Sequence, residues 1–185
     1  MKIIGFNASP RNNENTAWTL NKILESAKEQ GAETELFQSG KLDIKPCKGC
    51  LGCTETGKCV IKDNMVYDAL GQADTLILGS PVYMGQMTAQ AKTFTDRLFA
   101  QITPRFSPRF KEENAGKKLV LVWTQGNPNP EMFKEYFDYV KRMFQMLEFD
   151  VKAVQVVTGT RTEPASERAD LLPVLEEIGV SLVLK

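Results

Sequence analysis

The chain has 185 residues, of which 42% are hydrophobic and 25% charged, as expected for one globular domain and not for a disordered segment. Its 23 basic and 23 acidic side chains leave no formal net charge, so the composition predicts no nucleic-acid partner. Histidine is absent, which excludes Ser-His-Asp and Cys-His catalytic units and any zinc, haem or iron held by imidazole.

Apolar runs alternate with amphipathic stretches from end to end, which is the pattern of a βαβ series around a parallel sheet. Five strands are predicted, at residues 2–6, 34–37, 75–79, 119–124 and 151–157. The third and fourth are nearly continuous apolar runs, as is typical of strands buried on both faces. We therefore expect a single α/β domain over residues 1–185.

Amphipathic segments between the strands predict the helices. The first would follow the first strand, with Asn15 and Thr16 capping its start and Gly31 ending it. Later helices are predicted to begin at Asp63, Thr88, Pro130 and near Asp170. Two long connections remain, at residues 38–62 and 100–117, and connections of that length in a compact domain are usually functional.

The turn after the first strand, residues 7–16, carries hydroxyls, amides and a guanidinium at the start of a helix. A phosphate binds well at such a position, because free backbone N–H groups and the helix dipole both favour an anion. The turn contains neither GxxxxGK[ST] nor GxGxxG, so it is no Walker loop and no dinucleotide fingerprint. A polar turn with an ordinary cap is the simpler alternative.

The third strand runs into Ser80-Pro81-Val82-Tyr83-Met84-Gly85. Ligands of open α/β sheets bind at the carboxyl ends of the strands, and this segment offers apolar surface and backbone donors to a flat heterocycle. A plain turn explains the segment equally well.

These two turns, together with residues 88–97, resemble the NADPH-dependent FMN reductase superfamily of flavodoxin-like proteins, over about residues 1–127 and, with the strand order, most of the chain. The resemblance implies a three-layer α/β/α sandwich with a five-stranded parallel sheet that binds FMN noncovalently. By position it implies phosphate contacts from Ser9, Arg11, Asn13, Asn15 and Thr16. It also implies contacts with the flavin ring from Pro81, Val82, Tyr83, Met84, Gly85, Thr124, Gln125 and Gly126.

All four cysteines, Cys47, Cys50, Cys53 and Cys59, fall in the first long connection. Disulfides are disfavoured in a reducing cytosol, so metal or redox chemistry is expected, and CxxCxxC is a usual spacing for three ligands of a [4Fe–4S] cluster. The motif is similar to that of the iron–sulfur flavoprotein group, which implies such a cluster beside the flavin. Lys48, Lys58 and Lys62 would offset its negative charge. A zinc site and a loop without metal remain as alternatives.

The resemblance implies an FMN-dependent oxidoreductase that moves electrons between FMN, the cluster and a redox partner, which would be a ferredoxin-like protein, NAD(P)H, a quinone or an oxygen species. The alternative is a cluster-free NAD(P)H-dependent reductase of FMN, quinones or nitro compounds. Two further alternatives are a flavodoxin-like electron carrier, which the balanced charge disfavours, and a zinc-stabilised interaction loop.

Family members commonly associate, so we expect a homodimer or homotetramer, with residues 99–110 covering a flavin. The sequence contains no run of about 18 apolar residues and begins without the apolar core of a signal peptide. These features predict a cytoplasmic protein that does not enter a membrane.

Overall fold

The computed structural model describes residues 1–63, 65–101 and 115–184. The predicted flavin cover at residues 99–110 therefore lies outside the described residues from position 102 onwards. Within the described ranges, no helix is long and apolar enough to cross a membrane.

A five-stranded parallel sheet forms the centre of the fold, with the strand order β2-β1-β3-β4-β5. The strands are β1 (Lys2–Asn7), β2 (Glu33–Gln38), β3 (Thr75–Pro81), β4 (Lys118–Thr124) and β5 (Asp150–Val157). Each lies within two residues of its predicted bounds, and every residue of β3 is buried, as predicted. The order confirms the flavodoxin-like α/β fold, in which the chain changes direction across the sheet between β1 and β3.

Helices cover both faces of the sheet. They are α1 (Asn15–Glu29), the single-turn α2 (Cys53–Thr56), α3 (Met65–Gln72), α4 (Ala89–Arg97), α5 (Lys134–Met146) and α6 (Leu171–Val183). Successive strand residues point to opposite faces, so Ile3 packs with α1 and α6, whereas Ile4 packs with α3, α4 and α5. The result is the predicted three-layer sandwich.

The start of α1 differs from the prediction that Asn15 and Thr16 cap it. The helix already includes both residues, and Glu14 before it makes no capping bond with its side chain. The Asn15 side-chain oxygen instead accepts from the Ala165 N–H at 2.7 Å, and the Thr16 hydroxyl pairs with that of Thr124 at 2.8 Å. Both side chains therefore make long-range hydrogen bonds and do not cap the helix as local rules predict.

The later helices start close to their predicted positions. Thr88 caps α4 by accepting from the Ala91 N–H at 3.1 Å. Pro130 opens a 3-10 turn, Pro130–Phe133, that leads into α5. Asp63 lies two residues before α3, and its carboxylate forms an ion pair with Arg97 on α4. That ion pair ties the long cysteine-bearing connection to the helix layer.

Close packing brings α1 against the carboxyl end of β3. A Cβ at Gly79 would lie 2.2 Å from Leu20 Cδ1 and 2.9 Å from Thr16 Cγ2, both on α1. Only glycine therefore permits this approach without a shift of these side chains. The start of α1 consequently stands at the same edge of the sheet as the loops that follow β1, β3, β4 and β5.

Candidate functional site

Two adjoining clefts open at the carboxyl edge of the sheet. The first has a volume of about 400 Å³ and lies between the start of α1 and the loops after β3, β4 and β5. The second, of about 420 Å³, lies between the loops after β3 and β4. Both are lined by Val82, Gly126 and Arg161, so they form one continuous groove. A groove at this edge is where ligands of doubly wound sheets bind.

The first cleft collects the hydroxyls and the cation that the resemblance assigned to phosphate. Its lining includes Ser9, Arg11, Asn15 and Thr16 from the turn after β1 and the start of α1, and Thr124 at the end of β4. The Thr16 and Thr124 hydroxyls are buried and bonded to each other, and the Ser9 hydroxyl accepts from the Arg11 N–H at 3.1 Å. These polar groups converge on the N-terminal end of α1, as a phosphate requires.

Asn13 is the one member of the predicted phosphate set that lines neither cleft, and its side chain is exposed. The structure places it in the turn between β1 and α1, beyond the edge of the first cleft.

A tight turn at residues 83–86 forms one wall of the second cleft. The Tyr83 N–H donates to the Gln86 carbonyl at 2.9 Å, and the Gln86 N–H donates back to the Tyr83 carbonyl at 3.1 Å. Met84 and Gly85 between them have φ of +50° and +81°. Positive φ at both central residues is the type I′ geometry, which Gly85 adopts at no cost and Met84 does not. The turn leaves the Met84 side chain fully exposed beside the cleft.

The turn after β4 forms the opposite wall, through Gln125 and Gly126. The Gln125 amide nitrogen donates to the carbonyls of Asn127 and Asn129, at 3.1 and 2.7 Å. The amide oxygen is then buried without a hydrogen-bond partner among the described residues. A buried acceptor of this kind fits a ligand that carries an N–H donor, such as the isoalloxazine ring of FMN.

Residues of the loop after β5 also line the first cleft, and the sequence interpretation missed them. They are Thr160, Arg161 and Pro164. Their presence follows from the Asn15–Ala165 hydrogen bond, which ties this loop to the start of α1. These residues could have been predicted from the position of their loop after a parallel strand, since the carboxyl ends of all parallel strands meet at one edge of the sheet.

The four cysteines line a second, separate site. Residues 42–63, here called the cysteine loop, bring Cys47, Cys50, Cys53 and Cys59 around one small cavity of about 40 Å³. All four are free thiols, the first two exposed and the last two half-buried. Burial raises the pKa of Cys53, and the charges of Cys59, Cys47 and Cys50 raise it further against a backbone hydrogen bond that lowers it.

Apolar side chains complete the wall of this cavity, namely Leu51, Val60, Ile61 and Phe99. Four thiols around one cavity have the donor chemistry of an iron–sulfur cluster. In residues 1–63, 65–101 and 115–184, no three Cys, Asp or Glu side chains are arranged to hold a metal ion. The donor chemistry matches the predicted ligand set, but the structure does not bring the four thiols into the arrangement that a metal ion requires.

Arg97 at the end of α4 reaches into the base of the cysteine loop, and its side chain is fully buried. Its guanidinium donates to the carbonyls of Lys45 and Ile61, at 3.3 and 3.4 Å, and forms the ion pair with Asp63. It also lies over the Tyr67 ring, 4.5 Å from the ring centre. Burial raises the pKa of Asp63, but hydrogen bonds from the Lys45 N–H and from Arg97 outweigh it, so the pKa is lowered overall.

Comparisons with known proteins place the chain among flavoproteins. The model of a family described as NADPH-dependent FMN reductase matches residues 1–185. An iron–sulfur flavoprotein from Methanocaldococcus jannaschii is 41% identical over 99 residues, which are 52% of this chain and 51% of that protein. One from Archaeoglobus fulgidus is 37% identical over 142 residues, 76% of this chain and 62% of that protein.

The chain spans about half the length of the first of these relatives and less than two thirds of the second. Among solved structures, a putative quinone reductase from Klebsiella pneumoniae superposes with a TM-score of 0.76 at 18% identity. That match covers 98% of this chain and 85% of the other. At this identity the likeness establishes a shared fold.

Proposed function

Because the chain belongs to the NADPH-dependent FMN reductase family, we propose that it is an FMN-dependent oxidoreductase of the iron–sulfur flavoprotein type. It would transfer electrons between FMN, a [4Fe–4S] cluster and a redox partner. The observation that carries this proposal is the presence in one fold of a two-part cleft at the carboxyl edge of the sheet and of a separate cavity lined by four thiols.

The residues of the groove would hold FMN from both ends. Ser9, Arg11 and the start of α1 would bind its phosphate, and the buried Thr16 and Thr124 hydroxyls would shape the cleft beneath it. The turns at 83–86 and 125–126 would border the flavin ring. When bound, FMN supplies one- and two-electron redox chemistry, whereas an iron–sulfur cluster exchanges one electron at a time.

The cysteine loop would supply the cluster ligands, Cys47, Cys50, Cys53 and Cys59. Free thiols need a reducing compartment, which supports a cytoplasmic location. A ferredoxin-like protein, NAD(P)H, a quinone or an oxygen species would serve as the redox partner, and a homodimer or homotetramer would be the assembly. The relatives named as iron–sulfur flavoproteins support this reading of the cysteines.

A second candidate is a cluster-free NAD(P)H-dependent reductase of FMN, quinones or nitro compounds. The observation in its favour is the open second cleft, about 420 Å³, with the Met84 side chain exposed at its border. A planar nicotinamide would stack against a flavin through such an opening, and no further binding motif would be needed.

The deciding experiment measures FMN, iron, acid-labile sulfide and zinc in protein purified without oxygen. The iron–sulfur proposal expects about four irons and four sulfides per FMN. FMN without iron, together with rapid bleaching by NADH or NADPH in stopped flow, would establish the second candidate instead. Protein that takes up no FMN would contradict both.

A further inference from the structure

Arg97 is the only buried charged residue in the described part of the chain. Charged side chains are almost never buried unless they are paired, and the desolvation of a guanidinium costs several kcal/mol. The FMN site does not account for this residue, since Arg97 lines neither of the two clefts. Its hydrogen bonds reach the cysteine loop, and its ring contact reaches the adjoining helix α3.

The contacts of Arg97 join the two ends of the cysteine loop. Its guanidinium bonds to the carbonyl of Lys45, two residues before Cys47, and to that of Ile61, two residues after Cys59. The Asp63 carboxylate strengthens the same junction, because it pairs with Arg97 and accepts from the Lys45 N–H at 2.5 Å. One side chain therefore closes the loop and offsets part of the chain entropy that opposes closure.

The guanidinium also places a permanent positive charge beside one of the thiols. Cys59, Tyr67 and Arg97 line the same cleft at the back of the loop. The guanidinium keeps its charge in such surroundings, because arginine stays protonated in proteins.

Helix α4 carries this charge at one end and borders the flavin site at the other. Its N-terminal cap, Thr88, bonds through its hydroxyl to the Ala8 carbonyl at 2.7 Å, directly before Ser9 of the first cleft. Arg97 is the last of its nine residues, which span about 13 Å. The helix thus fixes the cysteine loop relative to the proposed FMN site.

We propose that Arg97 is a positioning residue for the cluster, which closes the cysteine loop and raises the reduction potential through its charge beside Cys59. The inference rests on the proposed function. Reduction adds one negative charge to a cluster that four thiolates already make anionic, and a nearby cation stabilises the reduced state more than the oxidised state.

The test compares Arg97→Gln and Asp63→Asn, which remove opposite charges from the same junction. In a redox titration of anaerobically purified protein, followed by the cluster's electron paramagnetic resonance signal, Arg97→Gln should lower the ratio of reduced to oxidised cluster about tenfold at fixed potential. For a one-electron couple this shift is about 59 mV. Asp63→Asn should raise the ratio, by a smaller factor.

Two matched variants serve as controls. Arg97→Lys keeps the positive charge, so it should restore most of the wild-type ratio. Lys92→Gln removes a positive charge from the exposed side of the same helix, where Lys92 pairs with Asp96, and should leave the ratio unchanged. Amide hydrogen exchange over residues 45–63 reports loop closure independently of the cluster, and should be faster in Arg97→Gln than in wild type.

The outcomes separate this inference from the proposed function. Wild-type protein without iron would refute the cluster, and this role of Arg97 with it. A wild-type cluster whose potential is the same in Arg97→Gln and Asp63→Asn, or moves in the same direction in both, would overturn only the role of Arg97. If Arg97→Gln takes up no cluster, Asp63→Asn decides: an upward shift supports the inference, and no shift or a downward shift overturns it.

Discussion

The flavin cleft and the cysteine loop lie in one fold but are held in different ways. The cleft is built on the ends of four hydrogen-bonded strands, and backbone bonds continue into its walls, as from the Val82 N–H to the Thr124 carbonyl at 2.8 Å. The cysteine loop has one regular element, the single-turn helix α2, and the side chain of Arg97 from α4 joins its two ends.

The flavin cleft is thus formed by the sheet, whereas the cysteine loop is held by a few charged contacts. A cleft bounded by buried strands keeps its shape before any ligand binds. The cysteine loop depends on the Arg97–Asp63 junction and on whatever its thiols bind. Substitutions in the cysteine loop should therefore affect cluster binding and leave FMN binding intact. Substitutions in the cleft should affect FMN binding and leave the cluster intact.

The largest effect is expected from Cys50→Ser. Cys50 is exposed at the cavity of the cysteine loop and makes no contribution to the sheet core. Iron and sulfide should fall to background because a serine hydroxyl is a poor ligand for the cluster, while FMN stays near its wild-type content. Metal and flavin analysis checks this, with Thr56→Ser in the same loop as the control. Loss of FMN together with iron would show that the two sites are not independent.

A smaller effect is expected in the cleft from Arg11→Ala. Arg11 lines the first cleft with much of its side chain exposed, 3.8 Å from Glu14. Removing one charge-assisted contact with phosphate should weaken FMN binding about tenfold, or about 1.4 kcal/mol, and leave riboflavin binding nearly unchanged. Fluorescence titration of the apoprotein measures both, and Arg142→Ala on α5 is the control. Equal losses for FMN and riboflavin would contradict the phosphate role of Arg11.

The smallest effect concerns how the Arg97–Asp63 ion pair stabilises the fold in acid. The pKa of Asp63 in the folded protein is lowered from its ordinary value of 3.8, so this carboxylate stabilises the fold above that value. Its contribution is lost as the pH falls through the folded pKa, below 3.8. Denaturant unfolding between pH 7 and pH 3 should show a smaller loss of stability for Asp63→Asn than for wild type. Asp68→Asn on α3, an exposed carboxylate, should follow wild type, and identical curves for all three would contradict the prediction.

Much of the fold could be predicted because it depends on local patterns. Continuous apolar runs marked β3 and β4, and the structure buries nearly all of their residues. Twelve of the thirteen residues that the resemblance assigned to FMN line the two clefts, since they lie near the carboxyl ends of parallel strands. The cap of α4 at Thr88 also followed from local rules.

Other features depended on contacts between distant parts of the chain. The local rules assigned Asn15 and Thr16 to helix capping, but their side chains bond to Ala165 and Thr124, which lie 150 and 108 residues away. Both bonds depend on strand order, which brings the ends of β4 and β5 beside the start of α1.

The sequence also did not predict which charged residue is buried at the cysteine loop. The sequence placed Lys48, Lys58 and Lys62 near the thiols, because they are neighbours along the chain. The buried cation is instead Arg97, which approaches from α4 and bonds to Ile61, 36 residues earlier. By itself the sequence determined which segments are strands and helices and which thiols share a loop, since periodicity and spacing are local properties. The tertiary structure alone decided which charge is buried beside them, because the cost of burying a guanidinium is met only where distant carbonyls and a carboxylate converge.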